Sequence, residues 1–191
     1  MGDYLFVDLD VESYYRLLHP RPVVVITSLC PNNKGNAMAC SWFTPVSEEP
    51  PIISIAVAKE NYTCDCIKHC KEFAVNILPA DLYEKVWFVG SRSGRSIDKL
   101  SLTGFNIKKG KKISVPIIED SLGVIEARVI NEVEAGECIL FLGEVVAVYV
   151  RENVVTTYGW NLNRVQLLLH GWGRVFYVMN SRSRRLFAGT K

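Results

Sequence analysis

Eight consecutive residues, Gly35-Asn36-Ala37-Met38-Ala39-Cys40-Ser41-Trp42, combine small side chains, amide and hydroxyl donors and one large aromatic. Small residues let a ligand approach the backbone closely. Donors grip an anion or the edge of a heterocycle, and an aromatic walls a flat ring. A phosphorylated planar cofactor needs that set. If the stretch is a strand, Asn36, Met38, Cys40 and Trp42 share one side, and Ala37, Ala39 and Ser41 the other. The same periodicity also fits a core strand that opens on a satisfied Asn, and the residues alone leave both readings open.

Other groups carry candidate chemistry. Asn61-Tyr62-Thr63, with Lys59 close by, stands at an expected helix start, where free amides, a hydroxyl and a cation suit a phosphate. An ordinary capping role fits as well. Ser91-Arg92-Ser93-Gly94-Arg95-Ser96, followed by Lys99, is either a second phosphate-competent set or a solvated basic loop. His170-Gly171-Trp172-Gly173-Arg174 reads as a bend that exposes an aromatic and an Arg, or as a turn with a core Trp. In Cys64-x-Cys66-x-x-His69-Cys70, Cys66 is one helical turn from His69 and Cys70. Cys64 points elsewhere, however, and no second pair has zinc-knuckle spacing, so thiols on a packed helix are expected and no metal. There is no GxSxG, GxGxxG or GxxxxGKS/T pattern, and His19, His69 and His170 sit in unrelated contexts. Nucleophilic catalysis and nucleotide binding through a Rossmann or P-loop device are therefore unsupported.

The elements that must position these residues belong to one domain, residues 1–191, long enough for a sizeable core. With 49% hydrophobic and 22% charged residues, the chain reads as globular rather than disordered. A net charge of +2 is too small to imply a nucleic-acid partner. No apolar run approaches the roughly 20 residues that span a bilayer. The start of the chain lacks the basic-then-apolar layout of a signal peptide, which predicts a cytoplasmic protein whose six cysteines are reduced.

Asp10 is placed to cap a short helix, Val11–Leu18, ended by His19-Pro20. Residues 22–28 read as a buried strand, 31–35 as a loop, and 36–44 as a partner strand stopped by Pro45. A strand over 52–57, a helix from 61 to 69 or 70, a strand over 73–77 and a helix over 80–89 follow. Residues 90–96 form a loop and 97–100 add a helical turn. Ile125, Ala127 and Val129 alternate with Glu126 and Arg128, as in a half-buried strand. With a tight turn at Ala135-Gly136-Glu137, residues 124–150 form a long hairpin, whose second strand, 138–150, is apolar enough to be buried on both faces. Residues 180–191 are a basic tail. Many strands and few short helices indicate an antiparallel barrel or sandwich.

The order Arg21-Pro22-Val23-Val24-Val25-Ile26-Thr27-Ser28, the Gly35-to-Trp42 segment, Pro50-Pro51, Asn61-Tyr62-Thr63 and Phe73-Ala74-Val75-Asn76-Ile77-Leu78 resembles the flavin reductase-like proteins. The flavoredoxin and archaeal ferric-reductase branch is the most similar. The resemblance covers about residues 15–178. It implies a mainly β, FMN-binding split β-barrel with Greek-key-like antiparallel strands, a homodimer with FMN near the interface, and FMN held noncovalently. It further implies that Asn36, Ala37, Met38, Ala39, Cys40, Ser41 and Trp42 line the ring and ribityl chain. Thr63, Asn61 and Lys59 would meet the phosphate or ribityl end, Ser91, Arg92 and Lys99 would neutralise the phosphate, and His170 and Trp172 would close over the ring. Cys40 stands where relatives often carry a hydroxyl residue. The implied activity passes electrons from NAD(P)H through FMN to flavin, ferric iron or a protein acceptor. The alternative is a flavoredoxin-like electron carrier reduced by a redox partner protein. In either case the flavin carries the chemistry and no catalytic side chain is expected.

Overall fold

The computed structural model describes residues 7–183, so residues 184–191 of the expected basic tail lie outside the described residues. In chain order, β1 (Arg21–Pro22) and β2 (Val24–Leu29) lead into β3 (Gly35–Cys40), β4 (Phe43–Ser47) and β5 (Ile52–Ala58). Helix α1 (Tyr62–Cys70) precedes β6 (Glu72–Ile77), and α2 (Tyr83–Gly90) and α3 (Lys99–Thr103) follow it. The short strands β7 (Ile107–Lys109) and β8 (Pro116–Ile118) come before the long β9 (Gly123–Ala135) and β10 (Cys138–Val150). Last come β11 (Val155–Thr156), β12 (Gly159–Trp160), β13 (Leu167–His170) and β14 (Phe176–Met179).

Seven strands form one antiparallel sheet in the order β3-β2-β6-β9-β10-β5-β4. Its two edge strands, β3 and β4, are consecutive in the chain and separated only by Ser41 and Trp42. Side chains from six of the seven strands meet in a single core, where Ile26, Ile55, Phe73 and Phe141 are fully buried. A sheet whose one face converges on one core is a barrel, and the seam between β3 and β4 is where it is split. Cys64 and Ile67 of α1 join that core. On the outside of β2 and β3, a second cluster packs Val86 and Val89 of α2 and Leu100 of α3 against Val25 and Ala37. The mainly β split barrel expected from the sequence is the observed fold.

Buried polar side chains lock this arrangement. Asn76 of β6 donates to Val25 O at 2.9 Å and Thr27 Oγ1 at 3.0 Å, and its Oδ1 accepts from Ile118 N at 2.8 Å. Thr27 Oγ1 in turn donates to Pro116 O at 2.6 Å. One fully buried amide thus ties β2, β6 and β8 together, and leaving any of these groups unpaired would cost about 1–3 kcal/mol.

Several expectations need correction. Residues 22–28 are not one strand: β1 pairs with β13 in a separate three-stranded sheet, and the main-sheet strand begins at Val24. The expected strand over 36–44 breaks at Ser41-Trp42, and Pro45 lies inside β4 rather than stopping a strand. An edge strand tolerates proline because one side of its backbone needs no partner, and the β4–β5 register shifts beside it, between Pro45 and Ser47. Strand β10 is not buried on both faces: Glu144, Val148 and Val150 are exposed. Glu126 does not face solvent; it is completely buried, and its carboxylate accepts from Lys111 N at 2.6 Å, Lys112 N at 2.7 Å and the Tyr149 hydroxyl at 2.7 Å. The Val11–Leu18 helix is a 3-10 helix, with Asp10 Oδ1 accepting from Glu12 N.

The cysteines are not all reduced. Cys30, after β2, is bonded to Cys66 in α1, whereas Cys40, Cys64, Cys70 and Cys138 are free. The bond staples α1 to the end of the β2–β3 hairpin. It closes a loop of sequence separation 36, for which chain entropy gives about 3–4 kcal/mol of stabilisation. Urea denaturation with and without dithiothreitol checks this: reduction should lower the unfolding free energy by that amount, and a Cys66→Ser variant should be insensitive to the reductant.

Candidate functional site

Strand β3 has β2 on one side and no strand on the other. Its outward-facing amides and carbonyls have no backbone partner among the described residues. Such an edge is available to a ligand. Alternation sorts its side chains as the sequence pattern requires. Met38 and Cys40 turn into the barrel core, and Ala37 and Ala39 face the outer cluster. Burial pushes the Cys40 thiol up to about 12, so it stays neutral, and it lies within reach of Trp42 O at 3.5 Å. Met38 Sδ accepts from Asn61 Nδ2 at 3.6 Å.

A cavity opens at each end of β3. The first, of about 200 Å³, is lined by Asn36, Tyr62, Gly94, Arg95 and Ser96 among others. Asn36 and Thr63 are both buried, and Asn36 Nδ2 donates to Thr63 Oγ1 at 2.9 Å. Thr63 therefore keeps its own hydroxyl hydrogen for another acceptor. Asn61 occupies the N-cap position of α1 without making a side-chain cap bond, so the helix offers free amides beside this cavity. A Cβ on Gly94 would collide with Asn36 Oδ1, so only glycine lets the 90–96 loop lie this close. Arg95 anchors that loop, donating to Glu60 O at 2.6 Å and to Asp65 Oδ2 at 2.5 Å.

The second cavity, of about 170 Å³, lies between Ala39, Cys40 and Ser41 on one side and Trp87, Gly90, His170 and Phe176 on the other. Ser41 Oγ is 3.3 Å from His170 Nδ1, and His170 Nε2 is 3.1 Å from Gly173 O. A carbonyl only accepts, which assigns the proton to Nε2 and makes Nδ1 the acceptor of the Ser41 hydroxyl. His19 Nδ1 donates to His170 O at 3.0 Å. Trp42 and Trp172 sit apart from this cavity, each against Tyr15 of the 3-10 helix, with centroid distances of 5.8 and 4.8 Å. The Arg16 guanidinium lies over Trp172 at 4.6 Å.

The structure thus gathers Asn36, Thr63 and Asn61 at one end of β3 and Ala39, Ser41 and His170 at the other. Other candidates are engaged elsewhere. Lys59 pairs with Glu134 at 3.0 Å on the β9–β10 hairpin. Arg92 is exposed with its guanidinium 4.3 Å from the Phe88 ring centroid, and Ser91 Oγ donates to Phe88 O at 3.4 Å. Lys99 is buried, and its Nζ donates to Val89 O at 2.8 Å and Arg92 O at 3.0 Å. It holds the start of the loop rather than presenting a free charge. Arg95, Gly94 and Tyr62 line the cavity; they belong to the two phosphate-competent runs of the sequence, although the family resemblance assigned the phosphate to their neighbours Thr63, Ser91, Arg92 and Lys99.

Residues 15–172 match the model of the flavin reductase like domain. The chain belongs to that family. This flavin reductase-like protein is 31% identical over 188 residues to the uncharacterized protein YddH of Escherichia coli, covering 96% of this chain and 98% of that one. It is 29% identical over 153 residues to the ferric-chelate reductase (NAD(P)H) of Archaeoglobus fulgidus, covering 78% and 87%. Flavoredoxin from Methanosarcina acetivorans shares its fold, with a TM-score of 0.82 at 23% identity over 98% of this chain and 97% of that one. Membership supports a flavin cofactor and a flavin-related redox function.

Lys99 gives this reading of the loop a pH signature. Burial pulls its pKa from the ordinary 10.5 down to about 8. Below pH 8 the ammonium is charged in both folded and unfolded chains, and its burial cost is fully present. As pH rises from 8 to 10.5 the folded chain sheds this proton first, so stability increases, by about 2–3 kcal/mol at 1.36 kcal/mol per unit. A Lys99→Met variant should lack that component. Urea titrations of both proteins at pH 7.5 and 10 check it; parallel pH dependence in the two would contradict the assignment.

Proposed function

We propose that this protein is an oxidoreductase that holds FMN noncovalently along the open edge of β3 and passes electrons from NAD(P)H to flavin, ferric iron or a protein acceptor. The observation that carries the reading is the unpaired edge of β3, with one cavity at Asn36, Tyr62 and Arg95, backed by the buried Thr63 on Asn36, and a second cavity at Ala39, Ser41 and His170. From residue 36 to residue 41 a strand runs about 17 Å, which suits an elongated ligand with a polar head and a flat end.

The residues fit the group. The free amides at the start of α1 and the Thr63 hydroxyl would hold a phosphate, beside Arg95, whose charge is shared with Asp65. The small side chain of Ala39 lets a planar ring come close to the edge amides of β3. His170, fixed by Gly173 O and Ser41, would wall the ring. Bound FMN would accept a hydride and release electrons singly or in pairs. The chain's own task is then to bind, orient and exclude water, and the neutral Cys40 thiol takes no part in proton transfer. Lys99 acts by fixing the carbonyls of Val89 and Arg92, which positions the loop. The similarity to a ferric-chelate reductase supports NAD(P)H as donor. Exposed Tyr14, Leu17 and Leu18 on the 3-10 helix, next to Tyr15 and its tryptophan partners, supply an apolar patch suited to a second copy of the chain, in keeping with a homodimer.

Purified protein should be yellow or become so with FMN, and anaerobic NADH or NADPH should bleach it rapidly. Reduction by a reduced ferredoxin but by neither nucleotide would instead support the carrier function. Thr63→Val keeps the shape and removes the hydroxyl. It should weaken FMN retention about ten- to hundredfold, the loss expected for a charge-assisted hydrogen bond. Equal FMN affinity in the variant would overturn the phosphate assignment.

A further inference from the structure

A third cavity, of about 460 Å³, lies away from β3 between the β7–β8 pair and the ends of β9 and β10. It is more than twice the volume of either cavity beside β3 and falls in the range of small-molecule sites. Its inner wall is apolar: Ile117, Leu122, Val124 and Val150, with the ring of Tyr149. Its rim carries Lys108, Lys109, Lys111 and Arg151. An apolar wall with a cationic rim selects a ligand that has an apolar body and a negative end.

The rim charges are unevenly matched. Lys108 pairs with Glu119. Arg151 donates from Nε to Ser121 O at 2.9 Å and from Nη2 to Glu119 O at 2.7 Å, so carbonyls fix its direction but no carboxylate among the described residues neutralises it. The Lys111 ammonium lies 4.0 Å from the Tyr149 ring centroid. The Lys109 side chain makes no hydrogen bond or ion pair among the described residues. The acidic groups on hand are Glu119, already paired, and Glu126, buried behind Tyr149 and held by two amides and the phenol. Four cations and one carboxylate, that of Glu119, thus line the cavity.

The rim is also preorganised. Glu126 grips the amides of Lys111 and Lys112, which fixes the loop that carries Lys111 and follows Lys109 at the end of β7. The Tyr149 hydroxyl, pushed above its ordinary pKa first by burial and then by Glu126, stays protonated and locked to that carboxylate, which holds its ring in the wall. Ser121, also in the lining, is 4% exposed, and its hydroxyl has no hydrogen-bond partner among the described residues. A ligand acceptor that reaches this hydroxyl would supply the partner it lacks.

We propose that this cavity is a second small-molecule site, separate from the flavin reading, for an aromatic carboxylate: the ring against Tyr149 and the aliphatic wall, the carboxylate toward Lys109 and Arg151. Neither the fold nor the β3 site requires it, so its test stands apart from that of FMN binding.

Amide NMR of the full chain, titrated with sodium benzoate, benzamide and sodium acetate, tests the proposal. Benzoate should give saturable shifts at residues 108–111, 121–124 and 149–151. Benzamide lacks the charge and acetate the ring, and each should bind at least about tenfold more weakly. Lys109→Gln, on an exposed strand, should weaken benzoate about two- to fivefold, the worth of an exposed ion pair. Ser121→Ala should weaken it a further three- to tenfold, about one hydrogen bond. FMN retention should be unchanged in both variants. Equal binding of benzoate and benzamide, shifts centred on Ala39 and His170, or no saturable shift at all would overturn the proposal.

Discussion

An antiparallel strand satisfies both rows of its backbone groups only when it has two neighbours, and β3 has one. Everything at the candidate site follows from that vacancy. The chain breaks at Ser41-Trp42 before β4 can close the ring of strands, so the barrel is split there. The outer edge of β3 is then shielded by helices and loops rather than by a strand. Their close approach depends on missing side chains: a Cβ on Gly90 would lie 2.9 Å from that of Ala39, and one on Gly94 would strike Asn36. Glycine at these two positions, with the small Ala39 opposite Gly90, lets the helix and the loop pack close to that edge.

The rest of the molecule keeps that edge rigid. The inner face of β3 sends Met38 and Cys40 into a core with Ile26, Ile55 and Phe141, so the strand cannot slip by one residue without exposing apolar groups. Its neighbour β2 is fixed by the Asn76 amide and the Thr27 hydroxyl. At the other end, α1 is held three ways: by Ile67 in the core, by the Cys30–Cys66 bond, and by the buried contact between Thr63 and Asn36. The donors at the start of α1 and the edge of β3 therefore belong to one rigid body. Preorganised donors of this kind bind without a large ordering cost.

Much of this was legible in local pattern. Alternating residues, the Gly136 turn with its φ of 58° and the helix beginning after Asn61 mark the hairpin and α1 at nearly their true bounds. The two-sided alternation also held over residues 37–40, and with it the division between core and outer face. What stayed hidden was set by long-range partners. Pro45 looked like a stop because nothing local says that β4 is an edge strand. Glu126 looked outward because the two amides and the phenol that bury it come from other segments. Cys30 and Cys66 looked like thiols because their separation of 36 residues conceals that α1 packs on the β2–β3 turn. In the basic loop, the family resemblance singled out Ser91, Arg92 and Lys99 from a run that also carries Arg95. The fold instead spends Lys99 on two carbonyls, stacks Arg92 on Phe88 and brings Arg95 to the cavity. The basic-rimmed cavity beside Tyr149 left no sequence signal, because its walls come from four strands.

The central claim is that the flavin lies along the free edge of β3, between the start of α1 and His170. Amide hydrogen exchange with and without FMN measures this directly, since an edge amide with no partner exchanges freely until a ligand covers it. The account predicts that FMN slows exchange at residues 36–42 and 62–64 while leaving residues 107–118 and 147–151 unchanged. Protection confined to that second region, with β3 exchanging as fast as before, would contradict it.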